Sequence, residues 1–150
     1  MSDKKAFLKR LDVFNELSED ELSSVAALCK EASYKTGDII LSIGEPADRF
    51  FVVRSGTVQI ATNPEALQAK PELVDSLMVM LGQGQTFGEM GLVDRGARSA
   101  TVRAGSDTEV YAINCDDFLN LCYKNTHLGF LVMRNIAADL SFKLRYRNLI

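Results

Sequence analysis

The chain has 150 residues, 47% hydrophobic and 25% charged, with 17 Lys and Arg against 20 Asp and Glu for a net charge of −3. That length suits one domain around one buried core, and the mildly acidic balance lacks the basic footprint of a nucleic-acid binder. A single histidine, His127, and three scattered cysteines, Cys29, Cys115 and Cys122, speak against a metal cluster or a disulfide framework and fit buried, reduced thiols.

No apolar run approaches the length that spans a bilayer, and the start, "MSDKKAFLKRLDVF", lacks the apolar core of a signal peptide. A cytoplasmic protein without membrane contact is expected. The first helix uses Phe7, Leu8 and Leu11. "LSEDELSSVAALCKEA" then carries a helix-start signal: Ser18 and Glu21 fit a capping box, and Leu17 and Leu22 fit a hydrophobic staple. Leu22, Val25, Ala26 and Cys29 share one face. Helices are therefore expected over residues 1–33.

From Tyr34 the pattern changes to short β-branched and aromatic runs, broken near Gly37, at "GEPAD" and at "SGT". This is the rhythm of short strands and tight turns in a sandwich or barrel, expected over residues 34–114. Gly56 is placed at a turn with positive φ. Residues 63–76, "NPEALQAKPELVDS", interrupt the strands. Asn63 can cap and Pro64 suits a first helical position, so the segment reads as a surface insertion with a helical turn, in preference to a partner-binding loop.

Residues 115–150 turn helical again. "CDDFLNLCYKN" fits a short helix capped near Asn114, and a long helix follows in which Leu128, Val132, Ile136, Leu140 and Leu144 recur every four residues. Leu131 and Met133 widen the stripe. It is broad enough to cover the mouth of a sheet and to offer a homodimer contact. The basic end, "FKLRYRNL", suits the helix dipole.

The most informative stretch is "FGEMGLVDRGARSATVRA". Gly88 and Gly91 allow close approach of backbone to a ligand. A helical turn at "EMGL" directs amides at an anion. Arg98 offers a planar fork for two phosphate oxygens, and Ser99 adds a hydroxyl. Glu89 would repel a phosphate, so it is better used to accept a hydroxyl of the same ligand. A nucleotide carries both features.

At these residues the chain resembles the phosphate-binding cassette of cyclic nucleotide-binding domains. Phe87, Gly88, Glu89, Met90, Gly91 and Leu92 match its first half; Arg98, Ser99 and Ala100 match its second. "GDIILSIGEPADRFFVVRSGTVQI" resembles the early strands of that family. The resemblance implies a mainly β fold with flanking α helices: an antiparallel β jelly roll, or double-stranded β-helix, of eight strands with N-terminal helices and a C-terminal lid helix. It implies that Glu89 takes a ribose 2′-hydroxyl and that Arg98 pairs with the cyclic phosphate. Amides of Gly88, Met90, Gly91 and Ser99 would support the same ends. Leu140, Lys143 and Leu144 would lie near the base.

The expected ligand is cyclic AMP, favoured over cyclic GMP only by how often the family binds each, since Ser99 permits either. No DNA contact is expected, because the cassette and lid helix are not followed by a helix-turn-helix, and no metal, because no ligand cluster accompanies His127; no other cofactor is expected. The output would be movement of the last helix toward a protein partner whose identity the sequence does not name. An enzyme is disfavoured: one histidine supplies neither a metal set nor a base for a nucleophile. The alternative is a ligand-free scaffold or protein interaction module with the same fold.

Overall fold

The computed structural model describes residues 2–61, 79–94 and 96–146; the 63–76 insertion and the last four residues lie outside them. Strands β1 (Lys30–Tyr34), β2 (Ile39–Leu41), β3 (Arg49–Ser55), β4 (Val58–Ala61), β5 (Val79–Leu81), β6 (Thr86–Phe87), β7 (Thr101–Ala104) and β8 (Thr108–Asn114) belong to one unit, Lys30–Cys115. They form two four-stranded sheets, β1-β8-β3-β6 and β2-β7-β4-β5. First pairs with eighth, second with seventh, third with sixth and fourth with fifth, all antiparallel. The strands of this unit pair as one long hairpin folded across two sheets, which is the jelly roll.

Alternation along the strands builds the core between the sheets. Ile40, Leu41, Phe51, Val53, Val58, Phe87, Val102, Ala104, Val110 and Ala112 form its buried cluster. Phe51 and Phe87 are register partners whose rings stack at 4.8 Å. Burial of such side chains is worth about 1.5–3 kcal/mol each. Strand β3 is also buried on its other face, through Phe50 and Val52, so it reads as an unbroken apolar run. Gly56 turns the chain from β3 into β4 with φ +89, and a Cβ there would stand 2.4 Å from the Asp107 carbonyl oxygen.

One boundary differs from expectation. The helix capped by Ser18 ends at Leu28, and β1 starts at Lys30, inside the stretch expected to be helical. No glycine or proline marks the change. Cys29 adopts an extended backbone, and pairing of residues 30–34 with β8 decides the conformation.

The helices make the second unit, Met1–Cys29 with Asp116–Ile150. It contains α1 (Ser2–Lys9), the 3-10 turn η1 (Asp12–Phe14), α2 (Glu19–Leu28), nearly all of α3 (Cys115–Lys124) and α4 (Thr126–Tyr146). The capping box is present: Glu21 N donates to Ser18 Oγ at 3.1 Å, and Ser18 N donates to Glu21 Oε1 at 3.0 Å. Asn125 caps α4 by accepting from Leu128 N at 3.1 Å. Gly129 lets α4 pass close to α3, since a Cβ there would meet Cys122 Cβ at 2.9 Å. Leu128, Leu131, Val132 and Ile136 are buried, whereas Leu140 is half-buried and Leu144 exposed.

Candidate functional site

The cassette is built where β6 ends. Gly88 takes the left-handed conformation (φ 80, ψ 2) and caps a second 3-10 turn, η2 (Glu89–Leu92). A Cβ on Gly88 would stand 3.0 Å from Arg98 Nη1 and 3.2 Å from the Arg49 carbonyl oxygen. One on Gly91 would meet the Ala47 carbonyl oxygen at 3.0 Å and Cys115 Sγ at 3.3 Å. Neighbouring protein atoms thus crowd both glycines, a reason not visible in the sequence. The Gly91 amide, expected to face a ligand, donates to the Gly88 carbonyl at 3.1 Å.

The second half of the cassette is held by the β2–β3 connection. Arg98 N donates to Glu45 O at 2.7 Å, and Gly44 N donates to Arg98 O at 3.0 Å. Pro46 bridges Ala97, and Ile43 N donates to Thr101 Oγ1 at 3.1 Å. These bonds carry the Arg98 side chain inward, where it is 5% exposed. Nη2 donates to the Arg49 carbonyl at 2.5 Å and Nη1 to the Gly88 carbonyl at 3.4 Å. Asp48 Oδ1 lies 3.8 Å from Nη2 on a side chain 63% exposed. The buried Nε has no hydrogen-bond partner.

Burial is the largest influence on this guanidinium and lowers its pKa; Arg49 adds to that, while Cys115, Asp48 and Glu45 oppose it. A desolvated cation beside an exposed carboxylate is an incomplete ion pair, and it favours an incoming anion.

Glu89, next to the left-handed Gly88, is half-buried with Oε2 shut away from solvent. Phe87, Gly91 and Leu92 are buried and fix the frame; Met90 and Ser99 are exposed and Ala100 is half-buried. Leu140, Lys143 and Leu144 lie on α4 in the helical unit, and Lys143 is paired there with Asp139 at 2.8 Å. Sequence reasoning missed Asp48 and the Arg49 carbonyl. The available signal was the acid of "GEPAD" at the entry to β3, which reads as a turn residue.

Among the described residues, no group of three or more His, Cys, Asp or Glu could hold a metal ion, and no helix is long and apolar enough to cross a membrane.

The described strands form a jelly roll that carries a glutamate and a buried arginine on one glycine-framed cassette. The cyclic nucleotide-binding domain profile matches residues 31–125, and the chain belongs to that family. It is 30% identical over 142 residues to the cyclic AMP receptor protein of Thermus thermophilus, covering 95% of this chain and 61% of that one. It is 33% identical over 132 residues to Glutaminase 1 of Bradyrhizobium diazoefficiens, covering 88% of this chain and 20% of that one. The crystal structure of Thermus thermophilus Catabolite Activator Protein superposes with a TM-score of 0.72 at 30% identity, covering 92% of this chain and 60% of that one. The chain spans less than two thirds of the length of each of these relatives.

Proposed function

We propose that this chain binds a cyclic purine mononucleotide, cyclic AMP ahead of cyclic GMP, and relays binding through α4 to a protein partner. The observation that carries this reading is Arg98: a guanidinium 5% exposed, with an unpartnered Nε, beside the frame that holds Glu89. Arg98 would take the cyclic phosphate and Glu89 the ribose 2′-hydroxyl. The Gly88, Met90, Gly91 and Ser99 amides and the Ser99 hydroxyl would support them. Phe87, Leu92 and Ala100 set the loop, and Leu140, Lys143 and Leu144 would face the base. Similarity to a cyclic AMP receptor protein and to cGMP-dependent protein kinases supports a cyclic purine nucleotide, and the order of the two rests on how often the family binds each. Nucleotide would shift α4 only by its differential affinity for two helix positions.

The role is that of a regulatory sensor and not of a catalyst. Thermal melting with cyclic AMP or cyclic GMP, followed by titration calorimetry, tests it. Ligand at about a hundred times its Kd stabilises the fold by roughly 2.7 kcal/mol. No shift with either nucleotide would favour the ligand-free scaffold. A homodimer through α4 is a second reading, supported by the exposure of Phe130 and Phe142 on that helix. Sedimentation that shows only monomer at high concentration would remove it.

A further inference from the structure

Residues 14–17, between η1 and α2, make a sharp turn. Leu17 N donates to Phe14 O at 3.3 Å. Asn15 has φ −58 and ψ 136, and Glu16 has φ 73. These angles define a type II turn, whose third position ordinarily requires glycine or asparagine. Among the described residues, Glu16 is the only non-glycine with positive φ. A side chain in that conformation is strained and persists only where its surroundings over-determine it.

The surroundings come from α4. Asn135 Nδ2 donates to Val13 O at 3.1 Å and to Asn15 O at 3.0 Å, and the Arg134 guanidinium pairs with the Glu16 carboxylate. The bond to Asn15 O is the decisive one. A type I turn keeps the same hydrogen bond from the fourth residue to the first but flips the peptide between its two central residues. That flip would turn the Asn15 carbonyl away from Asn135 and return Glu16 to negative φ. Both hydrogens of the Asn135 amide are used by carbonyls on either side of Phe14, whose ring packs 6.2 Å from that of Phe118.

We infer that Asn135 and Arg134 hold the 14–17 turn in its left-handed form, making it a strained latch between α4 and the start of α2. Withdrawal of Asn135 releases the turn to type I. The latch is read within the helical unit alone and does not depend on nucleotide binding.

The test is a comparison of glycine with alanine at position 16 in the full chain, without nucleotide. Both Glu16→Gly and Glu16→Ala remove the pair with Arg134, so their difference reports the backbone. With Asn135 present, the glycine variant should melt about 2–4 °C above the alanine variant. In an Asn135→Ala background the gap should vanish or reverse, because alanine is the better residue once φ is negative. Asn135→Asp, which keeps the shape and removes both donors, should give the same result and serves if the alanine background does not fold. An equal gap in both backgrounds would show that the turn is left-handed without the latch. Alanine melting at or above glycine with Asn135 present would show that the turn is not left-handed at all. Either result overturns the inference.

Discussion

Arg98 Nη1 lies 3.0 Å from the point where a Cβ on Gly88 would stand, so a side chain at position 88 would crowd the guanidinium. The Gly88 backbone is left-handed as well, with φ +80. Gly88→Ala therefore meets two penalties: a backbone conformation that side chains avoid and a clash with the guanidinium. The expected cost is about 1–3 kcal/mol of stability. Nucleotide affinity should fall in the same variant, because Arg98 must shift. Denaturant unfolding and calorimetry check the two effects separately, and unchanged affinity would mean that Arg98 tolerates displacement.

Arg98→Ala removes the charge-assisted fork assigned to phosphate and should cost about 2–4 kcal/mol of binding. It also removes the bonds Arg98 makes to the Gly88 and Arg49 carbonyls, so the fold should lose stability too. Arg98→Lys should restore little of either, since one ammonium does not reproduce a planar fork. Titration calorimetry on both variants decides the matter; near-wild-type affinity in Arg98→Ala would refute the assigned role.

The cassette is legible in the sequence because glycines, a lone glutamate and "RSA" sit close together in one stretch whose residue types already specify the chemistry. Strand positions are also legible, from β-branched runs between turn residues such as Gly37 and Gly56. The start of β1 is not, because Lys30–Tyr34 carries no breaker and acquires its conformation from β8, far along the chain. Asp48 is hidden for a similar reason. Its approach to Arg98 exists only once the β2–β3 connection pairs with Ala97 and Arg98. The space Gly91 leaves for Ala47 and Cys115 likewise depends on contacts that no local pattern encodes.

Asp48 sets the opposing charge at the site. Its carboxylate lies 3.8 Å from Arg98 Nη2 and stays largely in solvent. A cyclic phosphate drawn to the same guanidinium would meet that negative charge. Asp48→Asn should tighten nucleotide binding modestly, by about 0.2–1 kcal/mol, the range of exposed ion pairs. The gain should shrink in high salt, where exposed charges are screened. Calorimetry at low and high ionic strength tests this, and weaker binding in the asparagine variant would show that Asp48 helps to position Arg98.

Glu21 makes stability depend on acid. Burial is the largest single influence on its carboxyl and raises its pKa, but hydrogen bonds from the Ser18 amide and from His127 outweigh it, and the net value lies below the ordinary 4.5. Those bonds are visible as Ser18 N to Oε1 at 3.0 Å and His127 Nδ1 to Oε2 at 2.9 Å. A carboxyl whose folded pKa is depressed adds stability above its unfolded pKa and loses it as pH falls through the folded one. Wild type should therefore melt above Glu21→Gln near neutral pH, and the two curves should converge as pH drops below 4.5. Melting temperatures measured across that range check the sign. A constant gap between the two proteins down to strong acid would mean that the carboxylate charge contributes nothing to the joint between α2 and α4.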